Sequence, residues 1–216
     1  MDSNLTSLLS FLLSLIFTKY FNQTIICFRN FEMKGMKNIN AGKDFENQFK
    51  TSVNELIYYQ RINDPAQSFN QNDSLRFSLQ NPYDCFMYFY PSLFTLELKS
   101  TEGTSITFYR EDFIDKENKD KKYSFMVKKN QIAGLTESAK FKGIISGLIL
   151  NFRKTNHTYF IHINDFNNMV KGLDKKSFNE QDVTTNQGYL IEQTLKRVKY
   201  TYNIQKFISD MQHKYD

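Results

Sequence analysis

Three charged side chains stand where the surrounding residues look destined for a core. In NPYDCFMYFYPSLFTLELKST, running from Asn81 to Thr101, Asp84, Glu97 and Lys99 are set among aromatic and aliphatic residues. Burying an unpaired charge is costly, so such a pattern calls for pairing or for a metal ion. Side chains on a strand alternate between faces, so Glu97 and Lys99 share one face of LELKS while Leu96 and Leu98 point to the other. Asp84 lies on the partner strand of a hairpin joined through Pro91-Ser92, and a bend there brings its carboxylate toward Glu97. Two convergent carboxylates suit a hard divalent cation such as Mg²⁺, which takes oxygen ligands and keeps several waters. The adjacent Lys99 ammonium is then placed to orient a water or to stabilise charge on a phosphate. These are the parts that phosphodiester hydrolysis needs. The alternative is an exposed Glu–Lys pair on an edge strand, contributing little energy.

The chain that must position them has 216 residues, enough for one domain with extensions and a real core. Hydrophobic residues at 40% and aromatics at 16% exclude wholesale disorder. A formal charge of +5 favours polyanionic partners such as nucleic acid. Cys27 and Cys85 form neither a disulfide framework nor a CxxC metal site, and the three histidines lack metal-ligand spacing, so a reducing, cytoplasmic compartment is expected. Cys85 has no histidine nearby in sequence and reads as a small buried hydrophobe rather than a nucleophile.

Residues 1–35 form an apolar extension. The run from Leu5 to Phe17 is broken by Thr6, Ser7, Ser10 and Ser14 and follows an acidic residue. A spanning helix needs roughly 18 to 20 apolar residues, and a signal peptide needs a basic start. Three readings stay open: a surface-seeking helix, a weak membrane anchor, or translated sequence upstream of a start at Met33 or Met36. The upstream start is favoured, and membrane association through residues 1–32 is not.

Within the domain proper, 36–216, Phe45, Phe49, Val53 and Leu56 form one stripe of an amphipathic helix over 40–59. The polar stretch over 61–80 reads as a long excursion. Strands are expected at Asp84 to Tyr90, Leu93 to Ser100, Thr104 to Tyr109, GIISGLILNFR and HTYFIHI. Helices are expected at KKNQIAGLTESAKF, at NDFNNMVKGL with Asn164 or Asp165 as its cap, and at the end of the tail from Gly188 to Met211. Strands and helices in this order predict an α/β fold, a mixed central sheet flanked by helices.

Asp84 followed by Glu97-Leu98-Lys99 resembles the PD-(D/E)xK nuclease signature. The wider context resembles RecU-type Holliday junction resolvases of phages and prophages, with a restriction endonuclease-like fold. The matching pieces are GKDFE at Gly42 to Glu46, NPYDCF at Asn81 to Phe86, LELKSTEGTSITF at Leu96 to Phe108, KKNQIAGL at Lys128 to Leu135, and GLILNFR with the following YFIHI; the resemblance spans Met36 to Ile208. It implies that Asp84, Glu97 and Gln131 hold Mg²⁺, with Mn²⁺ as a substitute, that Lys99 is the catalytic lysine, and that Glu46 is a further acidic residue near the cleft. It also implies a homodimer that nicks four-way DNA junctions symmetrically in recombination and repair. Some members carry a hydroxyl residue two places before the aspartate, where this chain has Pro82. The excursion at 61–80 corresponds to a stalk that enters the junction, here with only Arg61 and Arg76 as basic residues. Lys128, Lys129, Arg153, Lys154, Lys196, Arg197 and Lys199 are further candidates for phosphate contacts. The rival readings are another nuclease of the same signature, of restriction or repair type, and a DNA-binding or membrane-associated scaffold whose charged cluster is structural.

Overall fold

A computed structural model describes residues 41–62, 81–114 and 124–215. The apolar extension, Cys27 and, past Ile62, the expected excursion with Arg76 lie outside the described residues. In chain order the elements are α1 (Ala41–Thr51), β1 (Tyr58–Arg61), β2 (Cys85–Phe89), β3 (Ser92–Thr101), β4 (Ser105–Thr107), α2 (Lys129–Ser138), β5 (Ile144–Phe152), β6 (His157–His162), α3 (Ile163–Lys171), β7 (Ser177–Asn179), α4 (Glu180–Thr185), β8 (Tyr189–Leu190), β9 (Gln193–Lys196), β10 (Lys199–Tyr202) and α5 (Ile204–Tyr215). A single turn of 3₁₀-helix spans Glu111–Phe113.

Six strands form one mixed sheet in the order β1-β2-β3-β5-β6-β8. Its centre is the parallel pair β3 and β5, in register from Leu93 opposite Ile144 to Thr101 opposite Phe152, and the other neighbours are antiparallel. β5, IISGLILNF, is apolar almost throughout, as a strand covered on two faces must be, while β3 alternates leucines and Phe94 with polar and charged residues. The period of two is visible in how they divide. Ile149 and Phe160 join Leu96, Leu98, Cys85 and Met87 under α1 and α5, while Leu148, Leu150, Tyr159 and Ile161 join α2 and α3 on the opposite face. At Gly147, in the middle of β5, an added Cβ would lie 2.3 Å from the Ile161 carbonyl and 2.5 Å from the Phe160 ring, so the ring occupies the space a side chain would need. The expected mixed sheet flanked by helices is what the chain forms.

Three local expectations are corrected. The first helix stops at Thr51, short of Val53 and Leu56. Its last turn is closed by Ser52, whose hydroxyl donates to the Gln48 carbonyl at 2.7 Å, and Asn54 then accepts the Leu56 N–H in an Asx turn at 3.0 Å. Leu56 is left 69% exposed and Ile57 enters the core in its place, followed at once by β1. The third expected strand leaves the main sheet: β4 pairs with β7 in a two-stranded sheet, with Ile106 and Phe178 filling the α3 side of the core. Finally, α3 is capped by His162, whose Nδ1 accepts from the Asn164 N–H at 3.2 Å. Strand β6 runs straight into α3, so Asn164 and Asp165 fall inside the helix, and Asp165 accepts the Tyr215 hydroxyl at 2.9 Å instead.

Candidate active site

The strand register puts Glu97 opposite Leu148 and Lys99 opposite Leu150, so both charges point to the sheet face that α2 covers. Asp84 sits where β2 begins. Its N–H still donates to the Leu96 carbonyl at 3.1 Å, but its side chain takes over the next rung, Oδ2 accepting the Leu98 N–H at 2.8 Å. The carboxylate is thereby clamped across the strand pair and meets Glu97, carboxyl to carboxyl.

Glu97 is the centre of the cluster and is fully buried. Its Oε1 accepts from Lys99 Nζ at 2.5 Å and also from Gln131 Nε2 on α2. Its Oε2 is buried with no hydrogen-bond partner. Burial pushes the Glu97 carboxyl up to about 8; the Lys99 ammonium offsets part of this and the neighbouring Asp84 adds to it. The 2.5 Å contact with Lys99 by itself would suggest a simple ion pair. Desolvation outweighs it here, because the carboxyl is cut off from water while the lysine side chain keeps 16% of its surface exposed.

Gln131 has a different geometry from the one expected of a metal ligand. Its Oε1 accepts the Lys128 N–H at 2.8 Å, which completes a capping box at the start of α2. That backbone donor needs an oxygen, so the amide must turn its nitrogen to Glu97. The side chain holds Glu97 and the helix start together. The helix itself is seated by the NPYD loop: Asn130 donates to the Asn81 carbonyl at 3.0 Å, and Pro82 packs so closely that a Cβ on Gly134 would lie 2.4 Å from it. Pro82 therefore positions α2.

The structure brings together Asp84, Glu97, Lys99 and Gln131. Glu46 lies on α1, where Arg61 Nε donates to its Oε2 at 2.9 Å, and its charge acts on Cys85 together with those of Asp84 and Glu97. Arg61 belongs to β1, opposite Cys85, and no local sequence pattern marks a pairing of residues so far apart. Cys85 is buried and free, its thiol pushed up to about 12 by burial, in keeping with an inert hydrophobe. No group of three or more histidine, cysteine or acidic residues that could hold a metal gathers among the described residues. A cation here would rest on the Asp84 and Glu97 carboxylates and on water, and the partnerless buried Glu97 Oε2 fits such a role. Among the described residues no helix is long and apolar enough to cross a membrane.

No family model matches the chain. It is 30% identical over 185 residues to the SPbeta prophage-derived uncharacterized protein YotM of Bacillus subtilis (strain 168), a match covering 80% of this chain and 87% of YotM. The chain belongs to the YotM family. Among solved structures it is similar to Hjc of Archaeoglobus fulgidus, a Holliday junction resolvase, with a TM-score of 0.39 and 11% identity over 68% of this chain and 91% of that one. At that level of likeness no residue role is carried from Hjc to this member of the YotM family.

Proposed function

We propose that this chain is a Mg²⁺-dependent endonuclease that resolves four-way DNA junctions. The observation that carries the reading is the buried Glu97 with one oxygen partnerless, pressed against Asp84 and held by Lys99 and Gln131. A fold does not bury a carboxyl against a second one for stability, since an apolar residue of similar size would serve better. Asp84 and Glu97 would hold the cation, which supplies positive charge against a phosphate and a water of lowered pKa. Asp84 is fixed by the Leu98 N–H and Glu97 by Gln131, so neither carboxylate must reorganise. Lys99, which keeps part of its side chain exposed beside Glu97, places its ammonium where the attacking water and the phosphate oxygens would lie. Glu46, tied to Arg61, stands at the margin of the cleft.

The net positive charge suits a polyanionic substrate. Symmetric nicking of a four-way junction calls for two related active sites, and one chain supplies one, so the working form is a homodimer. The test is a substrate panel in Mg²⁺: four-way junction, plain duplex and flap. Paired nicks confined to the junction support resolution. Equal cutting of all three makes the chain a general nuclease, and no cutting of any leaves a DNA-binding scaffold.

A further inference from the structure

Beyond the sheet core, β9 and β10 form a two-stranded ribbon of their own, with a two-residue turn at Arg197 and Val198. Its register divides it into two unlike faces. Tyr202, opposite Gln193, is buried against α1, with its ring 5.9 Å from Phe45 and 5.8 Å from Phe49. Tyr200, opposite Leu195, shares that side. The backbone is tied down there too, the Tyr200 N–H donating to Gln48 Oε1 and the Tyr202 N–H to the Ser52 hydroxyl, both at 2.9 Å. The opposite face carries Lys196 paired with Lys199 and Thr194 paired with Thr201. It contains only cations and hydroxyls.

Like charges placed directly opposite on a ribbon destabilise it, and the turn adds a third cation. Arg197 holds φ at 58°, in the first central position of a two-residue turn, where glycine is the usual residue. Lys196, Arg197 and Lys199 are all exposed, and Val198 beside them is 85% exposed. The ribbon rises from the end of the sheet toward which the Lys99 strand runs. Thr101 pairs with Phe152, the β5–β6 turn follows, and Gln193 at the ribbon's foot donates to the Asn156 carbonyl in that turn. A rigid foot, a free cationic face, lysines set in repulsion and an arginine in a glycine position together describe a surface built for an anion larger than a single ion. A two-stranded ribbon also has the dimensions of a duplex groove.

We propose that the β9–β10 ribbon grips a duplex arm of DNA, Lys196, Arg197 and Lys199 contacting phosphates while Val198 lies against the groove. The proposal takes from the nuclease reading only that DNA is the polyanion. The test is binding of the full chain to a labelled four-way junction across a salt series in EDTA, where no metal-dependent cutting occurs. Two triple variants carry the same charge change: Lys196→Gln/Arg197→Gln/Lys199→Gln, and a control, Lys140→Gln/Lys142→Gln/Lys171→Gln, on or near α2 and α3. The ribbon variant should keep or slightly raise its melting temperature and lose affinity at least tenfold. Its salt dependence should fall by about 2 to 3 in log–log slope, at roughly 0.9 per lost phosphate contact. The control should keep a slope near that of the unsubstituted chain. Equal losses in both variants, an unchanged slope in the ribbon variant, tighter binding to duplex RNA, or no DNA binding by the unsubstituted chain would each overturn the proposal. Ribbon-dependent binding by a protein that cuts nothing in Mg²⁺ would instead sink the nuclease reading and leave the ribbon's role standing.

Discussion

Replacing Glu97 by Gln should stabilise the metal-free protein, and increasingly so as pH rises. The substitution keeps shape and retains an oxygen to accept from Lys99 and Gln131. It removes only the ionisation that burial opposes. The folded carboxyl lies at about 8 against an ordinary 4.5. The native state therefore holds a proton that the unfolded chain releases between those values, and the wild-type protein loses stability as pH climbs through that window. At about 1.4 kcal/mol per pH unit the ceiling is roughly 5 kcal/mol. Relaxation and water entry reduce it, and a weaker Lys99 contact reduces it further, leaving on the order of 2 kcal/mol above pH 8. For a domain of this size that is roughly 4–8 °C in melting temperature. Thermal unfolding of both proteins in EDTA from pH 4.5 to 9 measures it: the curves should coincide at the acid end and separate toward pH 8. A pH-independent difference, or a variant less stable than wild type at pH 8.5, would mean that Glu97 is an ordinary ionised partner of Lys99.

Other substitutions test the supports of the site. Lys99→Ala should lower cleavage by roughly 10³-fold through loss of charge stabilisation, while titration calorimetry still detects Mg²⁺ uptake. Gln131→Ala removes the helix cap and one of the donors to Glu97 Oε1, so it should cost about 1–3 kcal/mol by denaturant unfolding and reduce cleavage as well. Gly134→Ala sets a Cβ against Pro82 and must push α2 away from the NPYD loop. It should destabilise by about 1–3 kcal/mol and slow cleavage without weakening DNA binding, and full activity would show that the seat of α2 is unimportant.

Much of the site was legible because it depends on local rules. The β2–β3 hairpin, the shared face of Glu97 and Lys99 and the approach of Asp84 all follow from the period of two and one turn. The apolar run of β5 and the helices α2 and α5 were legible for similar reasons. What escaped depends on contacts distant in sequence. The orientation of the Gln131 amide is dictated by a backbone donor at Lys128, and the fate of Glu46 by Arg61 on a strand that the helical stripe over 40–59 concealed. The ribbon of β9 and β10 was hidden because its inward side chains, Tyr200 and Tyr202, alternate with Thr201 over too few residues to announce a strand, and because helix α1 anchors it. The end of α1 turned on a single Asn54 side chain competing with the helix.

Metal-dependent junction cleavage at Asp84 and Glu97 is measured by incubating a mobile four-way junction with purified protein in Mg²⁺, in EDTA, and with Asp84→Asn in Mg²⁺. The substitution keeps an oxygen for the Leu98 N–H, so the fold should persist. Paired symmetric nicks are expected in the first reaction and intact junction in the other two, with the variant still binding DNA. Cutting by Asp84→Asn at the wild-type rate, or cutting that continues in EDTA, would contradict metal-dependent cleavage at this site.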